Sequence, residues 1–322
     1  MADSIVYSVV VPVYNEEAVI EETHRRLRKV MAQTGESYEL IFVDDGSSDR
    51  SREIIAGLCR QHSDTRLIGF SRNFGHEAAT TAGLDHARGK AVVIIDADLQ
   101  DPPEVILLMI ERWRLGYQVV YGKRWERKGE SFFKRMTASL FYRLLNRLTS
   151  ITIPMDTGDF RLIDERVCRA MRKLREKSRF IRGLVSWIGF RTTAVEYVRD
   201  KRWAGDTKYS FGKLLALAWD AVAAFSNKPL KLATYVGFCL SLMSFIYLII
   251  VVIRRVGDPG AVPGWASIVV INLFFNGVIL IILGIIGEYL GRIYEETKNR
   301  PLYIVDVTEG IHHEQPAQET SL

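Results

Sequence analysis

The stretch KAVVIIDADLQDPPE, residues 90–104, decides how the rest of this chain is read. Its apolar, β-branched run has the character of a strand buried on both faces, as in parallel sheets. The run stops abruptly at Asp96, Asp98 and Asp101, with Gln100 between them and Pro102 and Pro103 behind. Carboxylates repel one another and are costly to desolvate, so such a cluster at a strand end persists most easily where something cationic binds. Asp98 and Gln100 supply hard oxygen donors without His or Cys, a set suited to Mg²⁺ or Mn²⁺ and poor for zinc. Asp101, just ahead of the two prolines, reads as a helix N-cap.

Outward from this strand, SIVYSVVVPVY (4–14), YELIFVDD (38–45), TRLIGFS (65–71) and YQVVYGKR (117–124) repeat the short β-branched pattern. Helical stretches start near Glu16, Asp49, Gly75 and Pro102. The alternation predicts an α/β fold with a mostly parallel sheet covered on both faces. Ligands of such sheets gather at the carboxyl ends of the strands. Tyr14-Asn15-Glu16, Asp44-Asp45-Gly46-Ser47 and Asp96-Ala97-Asp98 all fall there, so separate segments converge on one rim.

The second half of the chain has a different character. Residues 232–253 and 265–287 carry no charged residue, and each is long enough to cross a hydrocarbon core, which takes about 20 helical residues. Joined by the turn-rich RRVGDPGAVPG, they predict a transmembrane hairpin. Residues 131–150 and 210–226 place apolar and aromatic residues at helical spacing, the first interleaved with Lys134, Arg135, Arg143 and Arg147, as in helices lying in a membrane interface. The predicted organisation is a cytosolic domain over 1–208, an interfacial helix over 209–230, a hairpin over 231–291 and a cytosolic tail over 292–322. ITIPMDTGDFRLID, 151–164, reads as a loop.

The net charge of +5 and pI near 9.0 indicate an anionic partner. Cys59, Cys168 and Cys239 show neither paired-framework nor metal-site spacing and read as reduced. The N-terminus lacks a basic region followed by a long apolar core, which predicts that the first domain stays in the cytosol.

Together VVVPVYNEE, VDDGSSD and DADLQDPPE resemble, in order and spacing, the nucleotide-sugar domain of the family 2 glycosyltransferases, which have the GT-A fold. With SRNFGHEAATTAGLDHARG, DTGDFRLID and a C-terminal pair of spans, the chain from about 5 to 300 is similar to the polyprenyl-phosphate glycosyltransferases. It resembles dolichol-phosphate mannose synthase and, more closely, the bacterial enzymes that glucosylate undecaprenyl phosphate. The resemblance implies an integral membrane enzyme, of the inner membrane in bacteria. It would move a hexose, glucose from UDP-glucose or mannose from GDP-mannose, with inversion onto a polyprenyl phosphate.

By the same resemblance Pro12, Tyr14 and Glu16 form the nucleotide-contacting first loop, and Val43 and Asp45 lie near base and ribose. Asp96 and Ala97 line the diphosphate and sugar, Asp98 and Gln100 hold the metal, and Arg124 faces the leaving phosphates. Asp156 and Asp159 match catalytic-loop carboxylates, either of which can act as general base or orient the acceptor. Arg202 and Lys208 match a segment that clamps the acceptor phosphate or the nucleotide diphosphate. Partners are then a nucleotide sugar, a polyprenyl phosphate lipid and the membrane, with no nucleic acid, and so small an anchor is compatible with a homo-oligomer.

Three rival readings fit less well. A processive polysaccharide synthase has a Q-x-x-R-W element and more spans, whereas here Arg199 stands at the glutamine position before Arg202-Trp203 and only two spans follow. A non-catalytic scaffold would not need the set Asp98, Gln100, Arg124 and Lys208. A flippase or channel needs polar residues within its spans.

Overall fold

The computed structural model describes residues 5–125, 157–177, 179–199, 228–257 and 264–311. The interfacial stretch 131–150, most of 209–230, and Asp156, Arg202 and Lys208 lie outside the described residues. Those described fall into two compact units: one comprises the chain to 125, 157–199 and 301–311, the other 228–257 and 264–300.

The first unit is built on an eight-stranded sheet. Its strands are β1 (Tyr7–Val13), β2 (Tyr38–Asp44), β3 (Thr65–Phe70), β4 (Ala91–Ile94), β5 (Val119–Arg124), β6 (Thr157–Asp164), β7 (Thr192–Tyr197) and β8 (Val305–Glu309), in the order β7-β5-β6-β4-β1-β2-β3-β8. β3, β2, β1 and β4 are mutually parallel, as are β5 and β7. β6 runs antiparallel between β4 and β5, and β8 runs antiparallel along β3. The sheet is therefore mostly parallel, as the alternating pattern implies.

Helices α1 (Ile20–Ala32), α2 (Ser51–Gln61), α3 (His76–His86), α4 (Val105–Arg114), α5 (Glu165–Lys173) and α6 (Ile181–Ile188) cover this sheet. Every residue of β1 is buried, which is why it reads as an unbroken apolar run. Its Tyr7, Val9, Val11 and Val13 join one core with Ile20, Leu27, Ile106 and Met109 of α1 and α4. Val10 points to the opposite face, where α3 packs so closely that a Cβ on Gly83 would lie 2.1 Å from its Cγ1.

Three strands depart from the sequence reading. TGDFRLID is β6, not a loop, with Phe160, Leu162 and Ile163 fully buried. β7 extends the sheet beyond β5. β8 lies within the stretch read as a tail, so the chain returns after the apolar helices to complete the sheet at β3.

The second unit holds α7 (Lys228–Gly257) and α8 (Trp265–Thr297), 30 and 33 residues long. They cover both apolar stretches and approach closely where a Cβ on Gly237 would lie 3.7 Å from Ile282. Among the described residues, Phe274–Thr297 is long and apolar enough to cross a membrane by length and composition, and Ala233–Tyr247 is a shorter apolar helical stretch. Large apolar side chains such as Phe238, Met243, Leu280 and Ile281 stand exposed on the two helices.

Candidate active site

The parallel strands deliver their following loops to one rim: 14–17 after β1, 45–50 after β2, 71–75 after β3, and 95–101 after β4. β6 runs the other way, so its beginning, not its end, reaches that rim. Its register pairs Arg161 with Ile94, and Asp159, two residues earlier, continues toward Asp96 beyond the end of β4. Reversal of one strand thus brings two carboxylates from distant parts of the chain together.

His76, the first residue of α3, joins them: its Nε2 lies 3.7 Å from Asp96 Oδ1 and 3.7 Å from Asp159 Oδ2. Burial pulls the imidazole down, but Asp96 and Asp159 outweigh it and hold the pKa above its ordinary value. Arg182 Nε of α6 lies 3.2 Å from Asp159 Oδ1, and Arg161 Nη2 lies 3.7 Å from the same oxygen. Burial pushes Asp159 up, but Arg182, Arg161 and His76 prevail and hold it below the usual carboxylate range. Asp96 behaves oppositely. Burial, with Asp159, Asp98 and Asp101 nearby, pushes it up to about 6 against the pull of His76.

Asp98 and Gln100 follow on the same loop, where the Gln100 backbone N–H donates to Asp98 Oδ1 at 3.1 Å. Leu99 between them adopts φ 56°, a left-handed conformation rare outside glycine and a form of local strain that recurs at functional sites. Ala97 is buried, and its carbonyl accepts the Thr23 hydroxyl at 2.7 Å, which ties this loop to α1.

Asp101 is not a helix cap. α4 begins at Val105 after Glu104 with no side-chain cap, and Asp101 is 1% exposed and turned inward. The Tyr197 hydroxyl donates to its Oδ1 at 2.5 Å, Arg199 Nε lies 3.4 Å from that oxygen, and Arg124 Nη2 lies 3.9 Å from Oδ2. Arg124 leaves β5 past Gly158, where a Cβ would lie 2.7 Å from its Nη2. The prolines gave Asp101 the look of a start signal, but its partners come from β5, β7 and the residues just after β7.

The first two loops are laced together. Asn15, at φ 54°, donates its backbone N–H to Ser47 Oγ at 3.0 Å and accepts from the Ser48 N–H at 2.8 Å; the Glu16 N–H donates to Ser51 Oγ at 2.9 Å. Pro12 and Val43 are buried in the strands, so their side chains belong to the core, while Tyr14 is exposed. Asp45, expected near base and ribose, is 3% exposed and accepts the backbone N–H of Phe74 at 2.7 Å and of Gly75 at 3.0 Å. Its carboxylate therefore holds the loop that leads into His76.

Of the candidates read from sequence, Asp96, Asp98, Gln100, Asp159 and Arg124 come to one region, and Asp45 supports it from the adjoining loop. His76, Arg161, Arg182, Tyr197 and Arg199 had no role at this site assigned, and Asp101 was read as a helix cap instead. His76 had a signal, since it sits inside the SRNFGHEAATTAG motif; Arg182 had none.

Residues 8–172 match the family described as glycosyl transferase family 2, and residues 228–293 match the GtrB C-terminal hairpin. The chain belongs to glycosyl transferase family 2. It is 57% identical over 317 residues to the uncharacterized glycosyltransferase YkcC of Bacillus subtilis (strain 168), covering 97% of each chain. It is 41% identical over 298 residues to the prophage bactoprenol glucosyl transferase homolog of Escherichia coli (strain K12), with 92% of this chain and 97% of the other covered. The bactoprenol glucosyl transferase of Shigella phage SfII is 42% identical over 298 residues, with 92% and 96% covered. The mostly parallel sheet with its covering helices agrees with the GT-A fold that the motifs imply.

Proposed function

We propose that this glycosyltransferase moves glucose from UDP-glucose onto undecaprenyl phosphate, with inversion, at the cytosolic face of a membrane. The observation that carries the reading is the carboxylate group of Asp96, Asp98, Asp101 and Asp159, set among Arg124, Arg161, Arg182 and His76 at the strand ends. Relatives named as bactoprenol glucosyl transferases support the acceptor and the sugar.

The residues fit a divalent cation. Burial, and after it the neighbouring carboxylates Asp159, Asp98 and Asp101, push Asp96 up to about 6, and a cation bound beside these carboxylates would offset their mutual repulsion. Asp98 and Gln100 offer oxygen donors. Among the described residues no group of three or more His, Cys, Asp or Glu side chains is arranged to hold a metal ion, so an ion bound here would need further oxygen ligands beyond Asp98 and Gln100. Asp98 and Gln100 would hold such an ion, and the chemistry it would supply is neutralisation of charge on a departing diphosphate.

The chain's own residues perform the rest. Arg124, fixed by Asp101 and Tyr197, faces the leaving phosphates as a preorganised positive charge. A phosphate oxygen of the acceptor attacks the anomeric carbon, the bond from that carbon to the diphosphate oxygen breaks, and the nucleoside diphosphate leaves with the electron pair. The second pKa of a phosphomonoester is about 6, so little proton abstraction is needed near neutral pH. Asp159, held anionic by two arginines, is a weak base and serves as an acceptor that orients a hydroxyl. By the same resemblance Asp156, three residues earlier in sequence, is a further candidate to orient the acceptor, and Arg202 and Lys208 clamp the acceptor phosphate or the diphosphate. α7 and α8 anchor the enzyme as a hairpin. Both ends of the hairpin lead into the same catalytic domain, so the number of crossings must be even.

Purified enzyme given labelled UDP-glucose, UDP-galactose or GDP-mannose with undecaprenyl phosphate should pass label from UDP-glucose into the organic phase. Asp98→Asn should nearly abolish transfer. Efficient transfer by that variant, or by wild type in excess chelator, would overturn the metal assignment; preference for GDP-mannose would replace the donor.

A further inference from the structure

The segment that follows the apolar helices reaches back to the loops of the candidate site along two routes. On the first, the Tyr303 ring stacks on Phe70 at a centroid distance of 5.0 Å and an angle of 13°, and its hydroxyl donates to Asp85 Oδ2 at 2.9 Å. Phe70 meets Phe74 edge-on at 5.7 Å. The Phe74 and Gly75 N–H groups are those held by Asp45, and His76 follows. On the second, Asp306 Oδ2 accepts from Arg52 Nη1 at 2.9 Å. Arg52 also donates from Nε to Asp44 Oδ2 at 2.7 Å and from Nη2 to the Phe70 carbonyl at 2.5 Å. The other oxygen of Asp44 accepts the Ser47 N–H at 3.2 Å, and Ser47 Oγ in turn accepts the N–H of Asn15.

Two further features show that this docking is built into the sheet. A Cβ on Gly69 would lie 2.7 Å from Val307 Cγ1 and 3.3 Å from Arg52, so glycine there lets β8 and Arg52 close over β3. The Ser71 N–H donates to the Ile304 carbonyl at 3.1 Å, continuing the pairing into the loop itself.

We propose that Tyr303 and Asp306 are positioning residues for the donor site: the return segment braces the 71–76 loop through Phe70 and the 14–17 loop through Arg52 and Asp44. Neither residue touches substrate. Their effect is to hold His76 and the first loop in binding geometry before the donor arrives, which is preorganisation of a site otherwise made of loops. The reading of this rim as a donor site rests on the function proposed above; the brace itself does not.

The test uses the full-length protein in detergent with Tyr303→Ala, Tyr303→Phe and Asp306→Ala, and Glu309→Gln as a control at the far end of β8, where the half-buried Glu309 lies 3.8 Å from Arg60. Hydrogen exchange of peptides spanning 71–76 and 14–17 is measured first, without ligand. Tyr303→Ala should speed exchange at Phe74 and Gly75 by about tenfold, the scale set by one lost aromatic stack with its hydrogen bond. Tyr303→Phe, which keeps the stack, should restore most of the protection, and Asp306→Ala should speed exchange at Asn15 and Ser47. With UDP-glucose as donor, Tyr303→Ala should raise KM about tenfold while kcat changes less than about threefold. Unchanged exchange in 71–76, or an equal rise of KM in Tyr303→Ala and Glu309→Gln, would overturn the brace. If wild type does not use UDP-glucose, the donor reading fails, and the exchange data still decide whether the brace exists.

Discussion

Replacing Asp159 by Asn tests whether the carboxylate at the start of β6 is the shared counter-ion of two guanidinium groups. Arg161 is 4% exposed, and Arg182 Nε lies 3.2 Å from the Asp159 carboxylate. Removing one member of a buried ion pair costs about 3–5 kcal/mol. Here Arg161 keeps hydrogen bonds to the carbonyls of Gly158 at 2.9 Å and Asp159 at 3.2 Å, and the Arg182 side chain is 21% exposed. The loss should therefore lie at or just below the lower end, about 2–3 kcal/mol, which for a domain of this size is a fall in Tm of about 4–12 °C.

The assay is thermal unfolding of the intact protein in detergent at neutral pH, for Asp159→Asn, Arg182→Gln and the double variant. The cycle should return a coupling of about 1 kcal/mol or more, because each single change removes the same contact. The pH dependence has a definite sign. The folded-state pKa of Asp159 is depressed, so its contribution is present above the ordinary carboxylate range and lost as pH falls through the lower, folded value. A Tm within about 2 °C of wild type, strict additivity in the cycle, or a gap that widens on acidification would refute the counter-ion role.

Two further expectations concern the same rim. Asp96 is pushed up to about 6, so its protonated form stabilises the fold below the unfolded value and that contribution is lost as pH rises toward 6. Asp96→Asn should therefore be more stable than wild type at pH 8, by about 1–2 kcal/mol after screening by solvent, while losing activity; equal melting at pH 8 would contradict this. Gly46 has φ +67°, and a Cβ there would lie 2.4 Å from the Arg72 carbonyl carbon. Gly46→Ala should cost about 2 kcal/mol or more and raise the donor KM, measured by unfolding and initial rates; a neutral result would show that the two loops do not pack as described.

Sequence periodicity carried the parallel half of the sheet because β1, β2 and β4 are buried on both faces and so read as unbroken apolar runs. It failed where burial and polarity disagree. β6 holds buried Arg161 between Phe160 and Leu162, because the arginine is paired with Asp159 and the Gly158 carbonyl. That breaks the pattern a strand would otherwise show. β8 is a five-residue strand rich in acidic residues, and its partner β3 lies more than 230 residues earlier, so only tertiary pairing reveals it. The carboxylates of the site were legible because they stand at strand ends. Their basic partners were not, since Arg182 and Arg199 sit among many other arginines, and only the fold distinguishes these two.

The place of β8 in the sheet also bears on the order of assembly. A ribosome finishes α7 and α8 before it makes residues 305–309, so until then the outer edge of β3 has unpaired backbone groups. The catalytic sheet is completed only after the apolar helices have been synthesised and the chain has turned back. A copy whose chain fails to return keeps an open edge that can pair with a neighbouring chain, so completion of the catalytic sheet depends on what happens to the apolar helices before it.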